Sequence, residues 1–243
     1  MIEWFNQLSD EAFFAGVTAI VAALLGGLIS LISALMVFWL ATRKETKLFE
    51  QRLNDTRNTN ARIGLGKLLN MSNQLYSIER FISKQLAEAQ KEAPVIEPGL
   101  AVVGSSAGNF EVDRLNSAEL EFLVHSKSNG LVSEIHMFQR AVMTHVAALE
   151  QYTVLRREFD DFSLKHGRIP EDPDGRLVST EFDEKHGRQA SIMLGSLNIL
   201  LGEILTTIED DIKTGFDLAD SYREMAVKQF GEPFPTIQKL GGK

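Results

Sequence analysis

The feature that most constrains this chain is a long uncharged segment close to its N-terminus. Residues 12–42, a run of 31, contain no Asp, Glu, Lys, Arg or His. As a helix that rises 1.5 Å per residue, the run extends about 46 Å and exceeds the hydrocarbon thickness of a bilayer, which is roughly 30 Å. Two crossings would need about 20 apolar residues each, so the run predicts a single transmembrane helix.

A cleaved signal peptide is a poorer interpretation of this segment. Residues 1–11 include Glu3, Asp10 and Glu11 but no basic residue, whereas a signal peptide begins with a basic region and has a shorter apolar core. We therefore expect an uncleaved anchor. Its helix is predicted to begin at Ser9 as N-cap, with the acidic residues that follow at the positive end of the helix dipole.

The charges on either side of the segment predict its orientation. Residues 43–67 carry seven basic and three acidic side chains, and none of residues 1–11 is basic. By the positive-inside rule, residues 1–11 lie outside the cytoplasm and the chain beyond residue 42 lies inside. The predicted location is the cell membrane, which in a bacterium means the inner membrane. We expect anionic lipid headgroups to bind Arg43, Lys44 and Lys47.

Small residues recur every four positions in the predicted transmembrane helix. In lipid no hydrophobic force holds helices together, so association depends on close backbone approach, which small residues permit. The pattern predicts a homo-oligomer, although Ala and Gly are also common in membrane helices that do not associate. The predicted interface consists of Ala15, Ala19, Ala22, Ala23, Gly26, Gly27, Ser30 and Ala34.

The rest of the chain predicts helices and no strands, so we expect an all-α fold. The membrane helix continues into a basic stalk at 43–67 and an antiparallel cytoplasmic bundle at 68–230, with a tail at 231–243. A loop rich in Pro and Gly at 93–112 is predicted to be mobile, and its apolar residues 100–103 form either a short strand or a buried plug. The other predicted helices span 117–127, 131–166 and 180–230, the last with Thr180 and Asp183 as a capping box.

The last helix contains a second apolar stretch, at 192–208. This stretch is broken by Asn198, Gly202 and Glu203, which makes it too short and too polar for another crossing. Its apolar residues occupy most of the helix circumference, so we expect it to be buried at the centre of the bundle.

Composition excludes several classes of site. The chain has no cysteine, which rules out disulfides and thiolate metal sites. No phosphate-binding loop, serine nucleophile elbow or His-Glu-x-x-His motif is present, and the acidic run at 209–211 is typical of a solvated helix face. Residues 68–243 carry 18 basic and 27 acidic side chains, a balance that argues against nucleic-acid binding. We predict no cofactor, no metal and no enzymatic activity.

One pair of residues favours a different interpretation. Arg140 and His145 are separated by four residues, and this spacing resembles the motif of the HEPN family of helical-bundle ribonucleases. The resemblance implies that Arg140 stabilises phosphate charge and that His145 acts as acid or base. It covers six residues, and Ala141 stands where the family usually has a polar residue. The structural alternative is a solvated or capped pair on a helix.

An identical Lys-His-Gly-Arg sequence occurs at 165–168 and at 185–188, on either side of a turn-rich connection. If the two long helices form an antiparallel hairpin, both copies lie near its tip. Their cations and imidazoles could bind an anion such as a nucleotide phosphate, although neighbouring acidic residues largely neutralise them. The candidate anion site comprises Lys165, His166, Arg168, Lys185, His186 and Arg188.

These features predict a single-pass membrane protein that self-associates through its transmembrane helix. Its cytoplasmic bundle would bind a partner protein or gate the assembly, and in the stronger form of this hypothesis the oligomer lines a pore or perturbs the bilayer. A membrane-tethered ribonuclease that uses Arg140 and His145 is the second hypothesis. In the third hypothesis, the anchor only localises a scaffold or sensor.

Overall fold

The computed structural model describes residues 2–93, 96–102, 112–168, 180–231 and 234–235. Over these ranges the fold is all-α, as predicted, and contains no strand. The chain divides into two compact units, Met1–Thr56 and Arg57–Lys243. The helices are α1 (Ile2–Glu92), α2 (Pro98–Ala101), α3 (Ser117–His125), α4 (Asn129–His166) and α5 (Glu184–Phe230).

The first unit contains the N-terminal part of α1, and this helix begins earlier than predicted. α1 starts at Ile2, so the prediction that Ser9 is its N-cap is wrong. Residues 2–8 contain neither Pro nor Gly, and nothing in that stretch interrupts a helix before Ser9. Residues 13–56 are exposed around the whole helix.

Two helices are long and apolar enough to cross a membrane, namely α1 from Phe13 onward and α5. The two helices differ in burial. In α1 no residue of the most apolar 18-residue window is buried, whereas in α5 22% of the corresponding window is buried. One face of α5 packs in the core through Leu197, Leu201 and Ile204. On the opposite face Ile192 and Ile199 are exposed, so the prediction that this stretch is buried is wrong for that face.

Within the second unit, α1 supplies a continuous apolar face to the core. This face begins at Ala61, whereas the sequence predicted that the bundle starts at residue 68. α1 passes close to α5 at Gly64, where a Cβ would overlap the hydroxyl of Tyr222. The buried side chains of α1 are Ala61, Leu65, Leu68, Met71, Ser72, Leu75, Ile78 and Ile82.

Residues 96–102 form a plug in the core. Gly99, Ala101 and Val102 are buried, and the hydroxyl of Tyr152 donates to the carbonyls of Gly99 at 3.0 Å and Val102 at 2.7 Å. Burial raises the pKa of Tyr152 to about 12. Of the two alternatives, the buried plug is confirmed and the strand is wrong. The rest of the predicted mobile loop, at 94–95 and 103–111, lies outside the described residues.

Helices α4 and α5 run antiparallel, with Phe138 against Gly215 near one end and His166 against His186 at the other. α4 ends at His166 with Gly167 as its C-cap, as predicted. α5 begins at Glu184 with Asp183 as N-cap, so the capping box at Thr180 is wrong. Residues 168 and 181 pair through two backbone hydrogen bonds, which keeps the chain extended until Asp183.

α5 ends at Phe230 with Gly231 as its C-cap, as predicted, and the φ of +80° at Gly231 favours glycine. The first part of the predicted tail then returns to the core. Phe234 is buried and its ring lies 6.5 Å from that of Phe230, while the guanidinium of Arg223 donates to the Pro235 carbonyl at 2.9 Å. Residues 236–243 lie outside the described residues.

Candidate functional site

The small-residue face of α1 is open in the first unit. All eight residues of the predicted interface are exposed. A Cβ added at Gly26 or Gly27 would meet nothing within 4 Å, so no described part of the chain covers these glycines. The large apolar side chains of the same segment are exposed too, including Leu24, Leu28 and Phe38 at 69%, 57% and 70%. This surface can therefore contact lipid or another helix.

The basic end of the apolar segment carries an aromatic–cation pair. The guanidinium carbon of Arg43 lies 3.7 Å from the centroid of the Trp39 ring. Such a pair places an amphipathic ring and a cation together, the combination favoured at the level of lipid headgroups. Lys44 and Lys47 are exposed beside it. All three predicted headgroup ligands are thus accessible.

Later basic residues of the predicted stalk are engaged within the second unit. Arg57 binds the carboxylate of Glu121 at 2.6 Å, and this hydrogen bond lowers the pKa of Glu121. Lys67 contacts Glu119 at 2.9 Å and Asp113 at 3.0 Å, and the hydrogen bond to Glu119 raises the pKa of Lys67. The sequence did not indicate these partners, which lie 46 residues or more further along the chain.

Arg140 and His145 do not form a shared cleft in this chain. Arg140 is exposed, whereas His145 is only 5% exposed. At 3.6 residues per turn, two positions five apart on a helix point about 140° away from each other. The Nε2 of His145 lies 2.7 Å from the carboxylate of Asp211 and 3.5 Å from the hydroxyl of Thr207. The geometry favours a structural role, because His145 links α4 to α5.

The two Lys-His-Gly-Arg sequences meet at the tip of the α4–α5 hairpin. The rings of His166 and His186 stack with centroids 4.2 Å apart and planes at 18°. The Phe162 ring lies 5.0 Å from His166 and 6.1 Å from His186. Only glycine fits at position 167, because a Cβ there would overlap the methyl group of Thr180. The structure therefore brings together the imidazoles that sequence analysis selected.

Acidic groups share the hairpin tip with these cations. Asp183 accepts a hydrogen bond from the His186 backbone at 2.8 Å and contacts its Nδ1 at 2.7 Å, and these hydrogen bonds lower the pKa of Asp183. Partial burial lowers the pKa of His166, and the charges of His186 and Lys165 lower it further. A groove at the tip contains Arg168 together with Glu181 and Asp183. The anion site remains a prediction that this mixed charge weakens.

The other four residues of the candidate anion site, besides the two histidines, are exposed cations: Lys165, Arg168, Lys185 and Arg188.

Among the described residues, no group of three or more His, Asp and Glu side chains could hold a metal ion. In the acidic run of α5, Glu209 and Asp210 are exposed and Asp211 contacts His145.

Protein-family models, curated proteins and solved structures were each compared with the chain, and none of them matches it. The class of protein is therefore defined by the fold and the exposed surface alone. It is an all-α chain in which two helices are long and apolar enough to cross a membrane, and in α1 the apolar segment is wholly exposed.

Proposed function

We propose that this chain is a non-enzymatic, single-pass membrane protein with its N-terminus outside and its helical bundle in the cytoplasm. Copies associate through the small-residue face of α1, and the bundle binds a cytoplasmic protein or gates the assembly. In the alternative hypothesis the anchor only localises a scaffold or sensor. It differs from this proposal in that the transmembrane helices do not associate.

One observation carries this proposal, namely the contrast between the two parts of α1. Residues 13–56 are exposed, whereas the same helix from Ala61 to Ile82 buries one face in a core. Each Å² of apolar surface left in water costs about 25 cal/mol, and apolar patches larger than a few hundred Å² mark membrane or protein contacts. A bilayer removes this cost for residues 13–42, the uncharged part of the exposed segment, which is long enough to cross it.

α5 is a poorer candidate for a crossing. Its apolar window contributes Leu197, Leu201 and Ile204 to the core of the second unit, and Ile208 follows on the same face. A crossing by α5 would remove these side chains from the core. We therefore assign the single crossing to α1.

The pore form of the hypothesis receives less support than simple association. A water-filled pore needs a polar stripe, and the only hydroxyls of the span before Thr42 belong to Thr18, Ser30 and Ser33. The Thr18 hydroxyl donates to the Phe14 carbonyl of its own helix at 2.7 Å. This bond occupies the one hydrogen that the hydroxyl could donate to water.

The mass of the assembly in a mild detergent tests the association. We expect an oligomer of the full chain, and we expect Gly26→Leu with Gly27→Leu to dissociate it, because leucine at a close crossing pushes the backbones apart. Leucine favours membrane insertion by about 0.3 to 0.6 kcal/mol per residue, so the variant should still insert.

A matched control exchanges Leu28→Ile and Ile32→Leu, on the opposite side of the same helix. This variant should keep the mass of the native chain. An unchanged mass in the Gly26→Leu, Gly27→Leu variant would rule out the small-residue interface and leave the simple anchor.

A further inference from the structure

Four aromatic rings close the tip of the α4–α5 hairpin. The imidazoles of His166 and His186 stack with centroids 4.2 Å apart, so each covers one face of the other. The Phe162 ring lies 5.0 Å from that of His166, and it stacks on the Phe182 ring at 5.6 Å. The end of α4 is thus joined to the start of α5 through two side chains that take up protons between pH 5 and 8.

The two imidazoles differ in their polar partners. His186 contacts the Asp183 carboxylate through Nδ1 at 2.7 Å, so a positive charge on His186 is balanced by a neighbouring negative charge. None of the histidine ion pairs among the described residues involves His166. A proton on His166 is therefore compensated less well than a proton on His186.

The charges that act on His166 mostly oppose its protonation. Among the described residues, three positive groups lower the pKa of this imidazole, and they belong to Lys165, Lys185 and His186. The Asp183 carboxylate acts in the opposite sense, although it already contacts His186. The groove beside His166 adds one charge of each sign, from Arg168 and Glu181. When both rings are protonated, two positive charges lie 4.2 Å apart and repel each other, which weakens the stack.

We propose that the tip of the α4–α5 hairpin is an acid-sensitive latch, in which protonation of both imidazoles separates His166 from His186. The end of α4 and the start of α5 then part, and the two backbone hydrogen bonds between residues 168 and 181 break with them. The rings of Phe162 and Phe182, half-buried in the closed tip, become exposed. This inference rests on the second unit alone and does not depend on the proposed membrane crossing.

Linkage gives the direction of the change. The pKa of His166 is lowered from 6.5 in the closed tip, first by burial and then by the neighbouring charges. The closed form therefore binds fewer protons than the open form below pH 6.5. Lowering the pH through 6.5 shifts the latch towards the open form, and the shift levels off below the lowered pKa. At neutral pH the latch is closed.

Distances between paired spin labels test the latch in the full chain, which has no native cysteine. Labels at Leu164→Cys and Gln189→Cys, both exposed, report on the tip. The labelled chain is diluted with unlabelled chain in mild detergent and measured by pulsed electron paramagnetic resonance at pH 8 and pH 5. We expect one narrow distance at pH 8. At pH 5 the mean should lengthen by about 5 Å or more, the rise of one helical turn.

A reference pair separates opening of the tip from general unfolding. Labels at Ser133→Cys and Ser221→Cys are exposed and lie towards the other end of the same two helices. Their distance should be the same at both pH values. An unchanged distance at the tip, or a change in both pairs together, would overturn the proposal.

Ring substitutions show whether the histidines operate the latch. His166→Phe keeps an aromatic ring that cannot be protonated, so the tip should stay closed at pH 5. His186→Phe removes the other charge and should have the same effect, which decides the matter if His166→Phe does not fold. His136→Gln, at an exposed position of α4 far from the tip, is the matched control and should open like the native chain. Opening of both phenylalanine variants at pH 5 would contradict the latch.

Discussion

The imidazole of His145 lies between α4 and α5, almost fully buried and 2.7 Å from the Asp211 carboxylate. Arg140, one and a half turns earlier, is exposed. A sequence can reveal the spacing of two residues but not the helix that packs against one of them. The catalytic resemblance depended on that spacing, whereas the role of His145 depends on a partner 66 residues away.

Alanine substitutions separate these two residues. Arg140→Ala should change the free energy of unfolding by less than about 0.5 kcal/mol, as expected for an exposed side chain. His145→Ala should lower it by about 1–3 kcal/mol, because Asp211 loses its hydrogen-bond partner. Chemical unfolding of the detergent-solubilised protein measures both. RNA cleavage by the purified native chain that is lost in an Arg140→Ala variant of unchanged stability would revive the nuclease hypothesis.

The stacked imidazoles at the hairpin tip predict a pH dependence. The pKa of His166 is lowered from 6.5, so the folded state binds fewer protons than the unfolded state over the range below that value. Stability should therefore fall as the pH decreases through 6.5, and the loss should level off below the folded pKa. NMR titration of the His166 ring measures this pKa directly. His186→Gln should raise it by removing a neighbouring charge, and a His166 pKa at or above 6.5 in the native chain would contradict the account.

At the scale of helices and loops, local signals were predictable and distant contacts were not. Gly167 and Gly231 end their helices where the sequence indicated, since a helix end depends on a few neighbouring residues. The start of α5 was misplaced because the pairing of Arg168 with Glu181 is not visible in the sequence. The close approach of α1 to the core at Gly64 likewise involves Tyr222, far along the chain.

The plug at 96–102 supplies a prediction at this scale. Tyr152→Phe removes the hydroxyl that donates to the carbonyls of Gly99 and Val102, and these buried acceptors then lose a partner. We expect a loss of about 1–3 kcal/mol in the free energy of unfolding. Amide hydrogen exchange at 99–102 should become faster. Tyr76→Phe, at a half-exposed position of α1, is the control. Unchanged exchange in Tyr152→Phe would show that the plug is held by apolar packing alone.

At the scale of the whole molecule, the sequence predicted the membrane segment from length and lack of charge. In the structure residues 13–56 are exposed, and the helix from Phe13 onward is long and apolar enough to cross a membrane. The same reasoning overestimated burial in α5, since composition cannot tell which face of an apolar helix meets the core. Ile192 and Ile199 lie on the face that does not meet the core, and both are exposed.

The most direct test of the central claim is the sidedness of the chain in its membrane. Single cysteines are introduced as Gln7→Cys before the span and as Glu158→Cys on the exposed surface of α4, in a chain that otherwise has none. A membrane-impermeant maleimide applied to intact cells should label position 7, and it should label position 158 only after the membrane is permeabilised. Labelling of position 158 in intact cells would contradict a single crossing with a cytoplasmic bundle.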